Sequence, residues 1–140
     1  MSGRSQSPLV VVVEDDAAVL NSLEFMLAAA GYRVLACADP AEAEAADGVA
    51  KASCLIIDYG LPDIDGLTLL HRLRQRGVSA PAVLIASTPS GQCRQAAREA
   101  GIPLFEKPLD GGSLSGWVAQ MTSRRGFDAD QRLAGSDAET

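Results

Sequence analysis

Leu55-Ile56-Ile57-Asp58-Tyr59-Gly60-Leu61-Pro62-Asp63-Ile64-Asp65-Gly66 is an apolar run that closes on an acid and then breaks into a turn. A short apolar run bounded by turn signals reads as a buried strand, with Asp58 at its C-terminal end. Two other runs repeat the pattern: Leu9 to Val13 closes on Glu14-Asp15-Asp16, and Ile102 to Glu106 closes on Lys107-Pro108. As parallel strands of one sheet, the three would converge their charge on one edge. Carboxylates gathered with one lysine point to a metal and a phosphoryl group.

Outward from these runs, the chain alternates strand and helix. Pro8 to Val13, Tyr32 to Cys37, Cys54 to Asp58, Pro81 to Ala86 and Ile102 to Glu106 read as strands. Val19, Leu20, Leu23, Met26, Leu27 and Ala30 share one helix face, with Gly31 as the stop. Asp39-Pro40 opens a second helix: Asp39 caps, Pro40 takes the first position, and Glu42 completes a capping box. This alanine-rich helix is expected to run to about Ala50. A third helix carries Leu67, Leu70 and Leu73, with Arg72, Arg74 and Arg76 at its negative end. Gln92 to Ala100 is the fourth, and Ser113 to Arg124 the last, capped by Asp110 or Ser113. Five short-linked repeats of this kind imply an α/β fold: a doubly wound, five-stranded parallel sheet with helices on both faces.

Composition narrows the function. The 140 residues suit one domain, expected over 8–124, with a flexible start at 1–7 and a disordered tail at 125–140. A net charge of -6 argues against a nucleic-acid surface. No apolar stretch is long enough to cross a membrane, and the polar start lacks a secretory h-region. Cys37, Cys54 and Cys93 are too dispersed for a disulfide framework or a zinc site, so a cytoplasmic setting is expected.

In an open parallel sheet, ligands bind beyond the carboxyl ends of the strands. Glu14, Asp15, Asp16, Asp58 and Lys107 all fall there. Close carboxylates need a counter-charge to stay ionised, and Mg²⁺ suits them as a hard, oxygen-seeking ion. Asp58 is then placed to act as a nucleophile toward phosphorus.

On these residues the chain resembles a response regulator receiver domain, a flavodoxin-like fold, from about Pro8 to Trp117. The motifs are Val12-Val13-Glu14-Asp15-Asp16, then Asp58-x-x-Leu61-Pro62-x-x-Asp65-Gly66, then Lys107-Pro108. The resemblance implies Asp58 as phosphoacceptor, Asp15 as direct Mg²⁺ ligand, and Glu14 as an outer acid acting through water. It also implies the Gly60 carbonyl as a further ligand, Lys107 as partner of the phosphoryl oxygens, and a cis bond before Pro108. It implies a signalling module rather than an enzyme, served by a sensor histidine kinase or a phosphotransfer protein. With no output domain in the sequence, the signal is expected to reach a downstream protein through the fourth helix, fifth strand and last helix. That surface is also the candidate for a homodimer.

Two positions depart from the family pattern. Ala86 stands where the fourth strand usually ends in Thr or Ser, and Leu104 where Tyr or Phe usually precedes the lysine by three residues. Ser87 follows at once and is the candidate phosphoryl-binding hydroxyl if the strand end slips, although strict strand alternation points it to the other face. Phe105 likewise falls on the opposite side from Leu104. The reading is a switch that accepts phosphate with a muted or rearranged response.

Blander readings hold for other residues. Asp16 and Asp65 suit helix caps, Asp63 a loop, His71 an exposed helix position, Tyr59 either an exposed loop or a gate beside Asp58, and Trp117 packing of the last helix. The alternative function is a degenerate receiver that binds partners without phosphate. An aspartate-nucleophile phosphatase would want an acid two residues after Asp58, where Gly60 stands. A dinucleotide binder would want glycines where Glu14-Asp15-Asp16 stands.

Overall fold

The computed structural model describes residues 7–109 and 112–123. The expected tail lies outside these, as does the expected flexible start except for Ser7, whose carbonyl accepts from Arg33 Nε at 2.8 Å. Strands β1 (Leu9–Val13), β2 (Arg33–Cys37), β3 (Cys54–Asp58), β4 (Ala82–Ala86) and β5 (Leu104–Glu106) form one sheet in the order β2-β1-β3-β4-β5. All pairings are parallel. Helices are α1 (Ala17–Ala29), α2 (Pro40–Ala45), α3 (Gly66–Gln75), α4 (Gly91–Ala100) and α5 (112–123).

β1, β3 and β4 are buried along their whole length, as their unbroken apolar sequences require of strands covered on both faces. Val11, Val13, Leu55, Ile57 and Leu84 face the layer of α2, α3 and α4. Val10, Val12, Ile56, Val83 and Ile85 face the layer of α1 and α5. Trp117 packs against this second core, as expected.

Capping residues set where the helices start. Asp16 Oδ1 accepts from the N–H groups of Ala18 and Val19. Asp39 accepts from Glu42 N–H at 2.8 Å, and Asp65 from Thr68 N–H at 2.8 Å. The Glu42 carboxylate reaches back to Ala38 N–H, one residue before the position a standard capping box would use.

β1, β2 and α4 each start one residue away from the sequence reading, and three further boundaries differ for visible reasons. α2 stops at Ala45, and a 3-10 turn, Asp47–Lys51, replaces its last part, because Ala46 adopts extended backbone. β5 begins at Leu104 rather than Ile102. Ile102 N–H closes the end of α4 on Ala97 O, and Pro103, which has no N–H, enters the ladder only as the acceptor for Leu84 N–H. β4 begins one residue after Pro81, whose carbonyl accepts from Leu55 N–H.

Candidate acidic phosphoryl site

The sheet order reverses direction between β1 and β3, so a crevice opens beyond their carboxyl ends. The backbone pins each functional residue there to a neighbouring strand. Glu14 N–H donates to Cys37 O at 3.0 Å, Tyr59 N–H to Ile85 O at 2.8 Å, and Lys107 N–H to Ala86 O at 2.7 Å. The peptide bond from Lys107 to Pro108 is cis.

The first turn of α3 presses directly on β3. A Cβ on Gly66 would collide with the Asp58 carbonyl oxygen and come within 2.9 Å of Ile57 Cγ2, so this position has room only for glycine. Gly66 N–H also donates to Tyr59 O at 2.8 Å, closing the loop that the quoted stretch encodes.

Glu14, Asp15 and Asp58 present carboxylate oxygens within 4.8 Å of one another. Glu14 is fully buried, Asp58 is 5% exposed and Asp15 is exposed. Lys107 Nζ lies 2.9 Å from Glu14 Oε1 and 3.5 Å from Asp58 Oδ1. Asp16 N–H donates to the other Glu14 oxygen at 3.0 Å, so both are engaged. Gly60 N–H donates to Asp58 Oδ1 at 3.3 Å.

One lysine therefore serves two buried acids. Burial, and next the Glu14 charge, push the Asp58 carboxyl up from 3.8 to about 6, although Lys107 opposes them. Burial alone would lower the Lys107 ammonium, but Glu14 and Asp58 raise it above its usual value.

The pocket above these groups, about 470 Å³, gathers Glu14, Asp15, Asp58, Gly60 and Lys107 as the sequence reading expected. Ser87 also lines it, exposed, in the bend just after β4. Strand alternation does not carry Ser87 to the other face, because the strand ends at Ala86. Leu104 packs on the α3–α4 side and Phe105 on the opposite side, as alternation requires. Thr88, Ser90 and Cys93 line the pocket too, and sequence reasoning missed them. The start of α4 brings them in, and no motif or period marks that approach. His71 is exposed and takes no part.

The chain belongs to the response regulator receiver domain family, whose pattern matches residues 10–117. Among curated proteins it is similar to the transcriptional regulatory protein PrrA of Mycobacterium tuberculosis, at 32% identity over 88% of this chain and 53% of that one. It thus spans about half the length of that relative. Its fold is similar to the receiver domain of the hybrid histidine kinase CckA, with TM-score 0.67, 33% identity, and coverage of 81% of this chain and 98% of that one. It is also similar to a CheY-like receiver domain protein of Methanospirillum hungatei, with TM-score 0.77, 21% identity, and coverage of 88% and 99%. Receiver domains are signalling domains of two-component systems. They generally bind Mg²⁺ at an acidic pocket and interact with histidine kinases or phosphotransfer proteins.

Proposed function

We propose that Asp58 accepts a phosphoryl group from the phosphohistidine of a sensor histidine kinase or phosphotransfer protein. The observation that carries this is Lys107 Nζ held between Glu14 and Asp58 in a pocket of three carboxylates. An Asp58 carboxylate oxygen forms the new O–P bond as the N–P bond breaks, and the departing imidazole nitrogen takes the electron pair. Lys107, already 3.5 Å from Asp58, turns to the phosphoryl oxygens and offsets their charge.

Mg²⁺ fits the donor set, which offers only hard carboxylate and carbonyl oxygens. Asp15, Asp58 and the Gly60 carbonyl would hold it directly, and Glu14, whose oxygens are both engaged, through water. When bound it supplies positive charge that keeps Asp58 ionised and neutralises the transferred group.

Ala86 offers the phosphoryl group only a methyl, and Leu104 stands in place of an aromatic. One missing hydrogen bond to a charged group amounts to about 1.5–3 kcal/mol. The response is therefore muted or rearranged, with Ser87 the nearest hydroxyl in sequence that lines the pocket. Ala86 and Leu104 also favour a second reading, a degenerate receiver that binds partners without phosphate.

A groove of about 370 Å³ between α1 and α5 reaches Lys107 and is otherwise mostly apolar, with Val19, Met26, Leu109 and Leu114 in its walls. It suits a helix of the phosphodonor. The downstream target, or a second copy in a homodimer, meets α4, β5 and α5. The charge of -6 favours protein over nucleic-acid partners, and three buried free thiols suit the cytoplasm. Among the described residues no helix is long and apolar enough to cross a membrane.

Incubation with Mg²⁺ and acetyl phosphate, followed by intact mass, tests the reading. A phosphoryl adduct that disappears in Asp58→Asn is expected. Its absence with acetyl phosphate and with kinase donors would leave the degenerate receiver.

A further inference from the structure

The muted positions raise the question of what else connects Asp58 to the surface that partners meet. Among the described residues, Tyr59 is the one aromatic side chain in the wall of the acidic pocket. Its backbone is fixed on both sides, by Ile85 O and by Gly66 N–H, so only the ring is free to respond. The ring is half-buried against the α3–α4 core, and burial, then Asp65 and Cys93, push its hydroxyl up from its usual value. It lines the pocket together with Ser90 and Cys93 at the start of α4.

Cys93 is the pocket's contact with α4. It is 3% exposed, lines the same cavity as Asp58 and Tyr59, and its N–H is capped by Ser90 Oγ at 3.0 Å. α4 buries only Cys93 and Ala97, both small. Few buried apolar contacts make an element cheap to displace. Its polar tie to β5 among the described residues is the exposed pair of Arg94 and Glu106 at 3.1 Å, of a kind that contributes little, beside the packing of Ala97 and Leu104 in one core. A lightly anchored helix thus begins in the pocket where phosphate would arrive.

We propose that Tyr59 and Cys93 carry the phosphorylation state of Asp58 to α4, the Tyr59 ring repacking against Cys93 and shifting the helix. This rests on Asp58 being the phosphoacceptor. Tyr59 is a positioning residue here, acting through Cys93 rather than on phosphorus. The relay runs from the residue after the acceptor to α4, and needs neither a hydroxyl at Ala86 nor an aromatic at Leu104.

The test compares the whole chain with Tyr59→Leu, Tyr59→Phe and Cys93→Ala. Each is treated with Mg²⁺ and acetyl phosphate, and adduct occupancy is read by intact mass. Amide NMR shifts are then compared at equal occupancy. In Tyr59→Leu and Cys93→Ala, the phosphorylation-linked shifts of α4 amides are expected to fall roughly twofold or more. Those of amides beside Asp58 in β3 should persist, and Tyr59→Phe should keep the α4 response. α4 shifts of wild-type size in Tyr59→Leu would overturn the relay while leaving Asp58 as acceptor. If the wild type gains no adduct from acetyl phosphate or from kinase donors, phosphoacceptance fails and the relay with it, a result read from mass alone.

Discussion

Asp58→Asn is predicted to stabilise the unphosphorylated, metal-free protein at neutral pH. The Asp58 carboxyl is raised from 3.8 to about 6, chiefly by burial and then by Glu14. A group whose folded value lies above its unfolded one favours folding when protonated. That contribution is complete below 3.8 and is lost as pH rises through about 6. Above this window an ionised Asp58 costs about 3 kcal/mol, from roughly 1.4 kcal/mol for each factor of ten between the two values. Asparagine keeps the shape and carries no charge. Urea unfolding near pH 7 without Mg²⁺ should therefore show Asp58→Asn more stable by about 1–3 kcal/mol, the attraction to Lys107 being already counted in the value of about 6. The advantage should shrink toward pH 4 and be reduced by Mg²⁺, which binds the folded wild type more tightly than the variant. A difference that is absent near neutrality, or that does not change across this window, would refute the reasoning.

Lys107→Ala leaves buried Glu14 and Asp58 facing each other without a cation, and a loss of about 3 kcal/mol or more is expected in the same urea assay. Gly66→Ala forces a methyl against the Asp58 carbonyl, so a loss of about 1–3 kcal/mol should come with slower phosphorylation, measured by denaturation and intact mass. Ser90→Ala removes the cap from Cys93 N–H, and should raise hydrogen exchange in the first turn of α4 at a cost of about 1 kcal/mol. Asp15→Asn removes the exposed carboxylate of the trio, and should weaken Mg²⁺ binding measured by calorimetry while hardly changing stability.

The strands were readable because β1, β3 and β4 are short apolar runs bounded by turn residues, and because the runs of β1, β3 and β5 close on charge. The caps Asp16, Asp39 and Asp65 were readable because their chemistry is local. What escaped depends on the chain's path. The side to which Ser87 turns is not legible, because strand alternation does not extend past the end of β4, and Ser87 lines the pocket from the bend beyond it. Cys93 and Ser90 reach the pocket only because α4 begins beside it, and their own neighbours carry no motif. The length of α2 was overestimated because alanine propensity says nothing of the turn that β3 requires. Lys107 was assigned to the phosphoryl group, and its pairing with Glu14 before any phosphate arrives could not be read from residues 93 positions apart.

The central claim is that Asp58, rather than another nucleophile, takes the phosphoryl group. The most direct measurement treats the phosphorylated protein with borohydride, which reduces an aspartyl phosphate to homoserine, and locates the altered residue by peptide mass spectrometry. The change is expected at Asp58 alone, dependent on Mg²⁺. A change at another acid, or a stable phosphate on Ser87, Thr88 or His71, would contradict it.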